Sequence, residues 1–222
     1  MTKRILAFLL PAFLLFSAGF QCKKDQLISP PQSPDTLSLT QFEKDSILKG
    51  DTNDVMRILT IFNYNDSIKL RASSHEVRPD PNDTVLYRLA RRMYYTLKAA
   101  NGVGIAGPQV GINRDIIWVE RLDKTGKPFE CYLNPKITLY SNKPIIFIGD
   151  GCLSIPGQYG NSHRFSAVVI NYDKLDGTHH SELVEGYSGS NFTAVIFQHE
   201  IDHLFGILFI DRLNGKATPV EN

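Results

Sequence analysis

The segment Gln198-His199-Glu200-Ile201-Asp202-His203 constrains this chain more than any other stretch. His199 and His203 stand four apart, so on a helix they project from one face about a turn apart. Two neutral imidazoles at that spacing can bind one metal ion, and Glu200 is placed to handle a proton on metal-bound water. Apolar residues enclose the motif, with Val195, Ile196 and Phe197 before it and Leu204, Phe205, Ile207, Leu208 and Phe209 after it. The pattern predicts a buried helix from about Asn191 to Phe205, stopped by Gly206. Burial makes an unpaired carboxylate or imidazole costly, which favours a site over chance. The spacing alone does not name a reaction, and a general HExxH metallopeptidase is one reading of it.

A third ligand must come from elsewhere. Residues 204–222 contain no histidine, and their acids are Asp211 and Glu221. His75, His163, His179 and His180 fall in expected loops, mostly exposed. Attention passes to Cys152 in Gly149-Asp150-Gly151-Cys152-Leu153-Ser154-Ile155-Pro156, because a cysteine flanked by glycine can approach a metal and bind as thiolate. By itself a single cysteine reads better as an inert buried small hydrophobe. A third segment, Gly102-Val103-Gly104-Ile105-Ala106-Gly107-Pro108-Gln109, is glycine-rich but follows a helix, unlike a dinucleotide loop, which follows a strand. Its informative residue is Gln109, whose amide can donate to a developing oxyanion.

At the other end, Lys3 and Arg4 precede the apolar run Ile5–Phe16 and the small residues Ser17, Ala18 and Gly19. This is the layout of a secretory signal at residues 1–21, too short to span a bilayer comfortably. Cys22, followed by Lys23-Lys24, resembles the acylated first residue of a bacterial lipoprotein. The expectation is export, with lipid anchoring at Cys22 to the periplasmic or outer-membrane face. Translation from Met56, where Met56-Arg57-Ile58-Leu59 resembles an ordinary start, would instead give a cytoplasmic protein. Residues 22–53 read as tether and lead-in, 54–213 as the catalytic domain and 214–222 as a tail. The whole chain carries 24 basic and 23 acidic residues, and nothing in that balance suggests attraction to nucleic acid.

Between the ends, Thr40 and Glu43 have capping-box spacing for a short helix ending near Gly50. Ile58–Phe62 resembles a short strand. A helix follows Pro81, with Val85, Leu86, Leu89, Ala90, Met93, Tyr94 and Leu97 on one stripe and Arg88, Arg91, Arg92 and Lys98 on faces expected to be solvated. Apolar runs at 116–119, 145–148 and 167–170, with turns at 123–126 and 173–177, read as strands, and Cys131, outside these runs, is expected to be buried in a strand of its own. Strands and helices do not alternate regularly, so α+β is favoured over a doubly wound parallel sheet.

Taken together and in order, Gly102-Val-Gly104-Ile-Ala106-Gly-Pro-Gln109, Asp150-Gly151-Cys152-Leu-Ser154 and His199-Glu200-Ile-Asp202-His203 resemble the three motifs of the peptide deformylases. Leu70-Arg71, Asn134-Pro135 and Arg164 are weaker echoes. The resemblance implies antiparallel β-sheets packed around a central metal-binding C-terminal helix, with an N-terminal helix. It implies one divalent metal, Fe(II) first and Zn(II) or Ni(II) as substitutes, held by Cys152, His199 and His203 with water in the fourth position. Glu200 would be general base and then acid, while Gln109 and the Leu153 N–H would stabilise the oxyanion. Gly104 and Ile105 would border the substrate. That substrate would be a formyl-methionyl peptide or another small formyl amide, hydrolysed to formate and a free amine by a monomer. A non-catalytic formyl-peptide-binding lipoprotein is the other reading.

Three departures from the family pattern stand out. Asp150 replaces a glutamate, so any salt bridge there, such as one to Arg164, must be made with one methylene less. Gly107 stands where alanine is common and should alter the loop locally. Gln158-Tyr159 occupies the place where many members carry an arginine thought to contact the substrate backbone.

Overall fold

Thr40 and Glu43 cap each other as their spacing predicts. The Glu43 N–H donates to Thr40 Oγ1 (3.3 Å) and the Thr40 N–H to Glu43 Oε2 (2.7 Å), opening helix α1, Gln41–Leu48. The computed structural model describes residues 35–214 and 217–220. The expected signal at 1–21, the lipidation site Cys22 and the first part of the tether lie outside the described residues. Leu39 and Ile47 are buried in the core, so the packed body begins well before residue 54.

The strand expected at Ile58–Phe62 does not form. That stretch lacks a sheet partner, and its backbone instead bridges two loops: the Leu59 N–H donates to the Gln109 carbonyl (2.8 Å) and the Ile61 N–H to the Ser154 carbonyl (3.1 Å). Helix α2, Tyr64–Leu70, follows, capped by Asn63. Asp83 caps α3, Thr84–Ala99, by accepting from the Val85 and Leu86 N–H groups. Its arginines are not all solvated. Arg92 is 7% exposed and donates to the Ile47 carbonyl (2.8 Å), one of the carbonyls that the end of α1 leaves without an intrahelical partner.

Seven strands follow: β1 (Gly104–Ala106), β2 (Ile116–Glu120), β3 (Phe129–Tyr140), β4 (Pro144–Gly151), β5 (Tyr159–Phe165), β6 (Ala167–Asp173) and β7 (His179–Glu185). They form an antiparallel sheet in the order β1-β2-β3-β6-β7 and a separate antiparallel pair, β4-β5. His163, His179 and His180 therefore lie in strands, contrary to the loops expected for them, while His179 and His180 are exposed. Asn134 interrupts β3 with a positive φ of 49°. Its side chain reads the backbone of Val77 at both ends, accepting from the N–H (2.8 Å) and donating to the carbonyl (2.9 Å).

Alternation along the strands serves two cores. Ile116 and Leu133 pack with Leu86, Leu89, Met93 and Leu97 of α3, whereas Ile117, Val119 and Tyr132 pack with the last helix, α4 (Thr193–Leu204). The architecture is α+β, with antiparallel sheets and a buried C-terminal helix. Among the described residues, no helix is long and apolar enough to cross a membrane.

Candidate metal centre

Every residue of α4 is buried, so its polar side chains look for partners within the protein. Gln198 is an example: its Oε1 accepts from the Phe165 N–H (2.9 Å) and its Nε2 donates to the Phe165 carbonyl (2.8 Å), fixing the helix against β5. One residue later, His199 projects towards the loop that follows β4, and His203 projects beside it, the two rings 5.2 Å apart. Cys152 enters from that loop, with its Sγ 3.2 Å from His203 Nε2. The donor atoms of Cys152, His199 and His203 all lie within 4.8 Å of one another.

The donor chemistry fits a divalent cation. His199 Nδ1 lies 3.0 Å from Asp150 Oδ1, an orientation that leaves Nε2 for a metal. Burial pushes the His199 pKa down, but the Asp150 carboxylate and the Cys152 sulfur reverse this and raise it well above its ordinary value. The site thus draws positive charge to the point where the three donors meet. His203, lowered by burial and by His199, is a neutral imidazole. A thiolate and two imidazoles are a soft, nitrogen-rich set suited to iron or zinc.

Two carboxylates support this centre differently. Asp150 is buried and takes Ser162 Oγ (2.6 Å), Arg164 Nη2 (3.1 Å) and His199. Burial alone would raise its pKa; the His199 and Arg164 charges win and hold it well below the usual carboxylate range. The salt bridge to Arg164 is therefore made despite the shorter side chain. Arg164 also pairs with Asp202, which Arg212 grips through Nη2 (2.6 Å) and Nε (3.0 Å). Arg212 in turn donates to the Thr218 carbonyl (3.1 Å), so the ion chain runs from the tail to a candidate ligand. Glu200, by contrast, makes no ion pair with an arginine among the described residues, and Arg164 lowers its pKa less than burial raises it. Burial pushes its pKa up to about 7, and its Oε2 has no hydrogen-bond partner among the described residues.

Gln109 is pinned by its own loop. Its Oε1 accepts from the Ala106 N–H (2.8 Å), which turns Nε2 towards Ser154 Oγ (3.3 Å) and Cys152 Sγ (3.5 Å). Gly107 lies so close to the Ile112 and Arg114 carbonyls that a Cβ there would meet both at 2.6 Å, which accounts for the missing alanine. Gln109, Asp150, Cys152, His199 and Glu200 border one cavity of ≈ 450 Å³, lined also by Gly104, Leu153, Tyr159, Val195 and Ile196. Ile105 is not among its walls: its side chain is buried against α3 because β1 alternates. Phe147 and Phe192 line the cavity as well, 5.3 Å apart, and neither was legible as a site residue. The one trace of Phe147 in the sequence is its position between Ile146 and Ile148, which point outwards.

The polypeptide deformylase family model matches residues 58–218. Among similar proteins, the peptide deformylase of Desulforudis audaxviator is 39% identical over 158 residues, covering 71% of this chain and 94% of that one. The peptide deformylase of Synechocystis is 35% identical over 141 residues, covering 63% and 72%. Among solved structures, the class I type b peptide deformylase from Acinetobacter baumannii with Met-Ala-Ser bound superposes with a TM-score of 0.61 at 32% identity, covering 72% of this chain and 99% of that one. The Synechococcus elongatus peptide deformylase in complex with actinonin gives 0.61 at 31% identity, covering 72% and 79%.

Proposed function

This chain belongs to the peptide deformylase family, and we propose from that premise how its own residues perform the reaction. The protein is a metal-dependent hydrolase that removes the N-formyl group from formyl-methionyl peptides and releases formate. The observation that carries the reading is the meeting of Cys152, His199 and His203, the first two of which line a cavity together with Glu200 and Gln109.

Cys152, His199 and His203 would hold a divalent cation, Fe(II) first and Zn(II) or Ni(II) in its place, which would supply Lewis acidity and lower the pKa of water towards about 7. Glu200, itself at about 7, can then take a proton near neutral pH and return it to the leaving amine. The free Oε2 is the atom for that transfer. Gln109 Nε2 and the Leu153 N–H face the formyl oxygen as charge develops on it, and Oε1 held by Ala106 keeps the amide from rotating away. Val195, Ile196 and Phe192 supply an apolar wall for the methionine side chain.

Glu200→Gln keeps the shape of the side chain and removes the base. Formate release from formyl-Met-Ala is expected to fall by about 10²- to 10⁴-fold with metal content retained. Unchanged turnover would remove Glu200 from the mechanism.

The export reading belongs to the same proposal. Lys3-Arg4, the Ile5–Phe16 run and Cys22 support a lipid-anchored enzyme acting on released formyl peptides outside the cytosol. Intact-mass measurement on native protein tests it: acylated Cys22 supports export, and a chain beginning at Met56 overturns it.

A further inference from the structure

We propose that Tyr159 makes the mouth of the cavity favour formyl-methionyl peptides whose second residue is aromatic over those whose second residue is acidic. The inference rests on the deformylase reading and concerns which peptides that reaction takes.

Tyr159 opens β5 and pairs with Gly151 at the end of β4. Its ring lies across the Gly151 backbone: Cδ1 and Cε1 come within 2.7 and 2.8 Å of where a side chain on that residue would begin. The ring thus stands one residue from Cys152, lines the cavity and is still 76% exposed. Phe147 and Phe192, both half-buried, line the same cavity with their rings inclined at 38°. The mouth is therefore rimmed by aromatic surface available for covering.

Its electrostatics point the same way. Among the described residues, no lysine or arginine lines the cavity, and the acids that do are Asp150 and Glu200. The arginine behind Asp150, Arg164, is fully committed to Asp150 and Asp202. A carboxylate on the substrate's second residue would lose hydration at the rim and meet no countercharge. An aromatic side chain there would instead cover Tyr159. In an extended peptide, successive side chains point to opposite sides and residues advance by about 3.4 Å. A methionine seated against Val195 and Ile196 therefore leaves its neighbour to face the outer rim.

The test compares kcat/KM of the metal-loaded protein on formyl-Met-Phe-amide and formyl-Met-Asp-amide. The wild type is expected to favour the phenylalanine peptide by about tenfold, and Tyr159→Ala to reduce that ratio by about fivefold, the scale of one aromatic contact. Tyr159→Phe should retain the ratio, and Tyr159→Arg should bring it to unity or below. A wild type without preference, or a Tyr159→Ala ratio equal to wild type, overturns the proposal. Hydrolysis of neither peptide refutes the deformylase reading itself. Calorimetric binding of Met-Phe-amide and Met-Asp-amide then decides the rim: tighter binding of the first that is lost in Tyr159→Ala supports it, and equal binding overturns it.

Discussion

Replacing Gly104 by alanine asks whether the position of the Glu200 carboxylate governs turnover. A Cβ on Gly104 would lie 2.3 Å from Glu200 Oε1 and 2.8 Å from both Cδ and Cγ. Relief of that overlap requires the carboxylate to retreat by about 1 Å, a displacement that costs on the order of 100-fold at a reacting group. Glu200 has little room to adapt, being 4% exposed on a helix packed on all sides. The expected loss in kcat/KM is thus about 100-fold, the lower end of what removing a general base costs. None of Cys152, His199 and His203 is among the nearest atoms the new methyl would meet, so metal content by elemental analysis should match wild type. If the methyl acts only through Glu200, combining Gly104→Ala with Glu200→Gln should add no further loss, because both changes disable one group. Wild-type kcat/KM in Gly104→Ala, or multiplicative losses in the double variant, would refute the argument.

Other outcomes follow from the same geometry. Asp150→Asn keeps the shape but leaves Arg164 sharing Asp202 with Arg212; unfolding free energy should fall by about 3–5 kcal/mol and metal affinity by about 10- to 100-fold, read by denaturant titration and chelator competition. No change in either would show the buried pair to be dispensable. Asp115 is pushed up to about 6 by burial and then by Glu76, whereas the unfolded chain ionises it near 3.8, so stability is lost as pH rises through that window. Asp115→Asn should therefore be more stable than wild type by about 3 kcal/mol above pH ~6 and equal to it below pH ~4. An equal gap at both pH values would contradict the sign. Iodoacetamide should label Cys152 only after chelation, since Cys131 is buried with its thiol pushed up to about 12. Labelling of Cys152 that ignores the metal, seen by peptide mapping, would exclude it as a ligand.

What the sequence determined by itself was local. The four-residue spacing of His199 and His203 places both on one face because a helix has a fixed pitch, and Thr40 and Glu43 cap α1 because their partners are three residues away. The α3 stripe followed from periodicity in the same way. Resemblance of three separated motifs added Cys152 and Gln109, which no local rule could have joined to the helix. Tertiary structure decided the rest. Ile58–Phe62 is apolar enough for a strand, yet its hydrogen bonds go to Gln109 and Ser154, distant loops that take the place of a neighbouring strand. Arg92 is charged and nevertheless buried, because the end of α1 offers it a carbonyl. Glu200 and Asp150 are both buried carboxylates, and their opposite pKa directions arise because Asp150 bonds His199 and Arg164 directly, whereas burial prevails at Glu200. Phe147 and Tyr159 become cavity walls only through the pairing of β4 with β5. Spacing along the chain fixes which groups can share a face, whereas burial and charge at a site are set by segments far away in sequence, and those alone choose its chemistry.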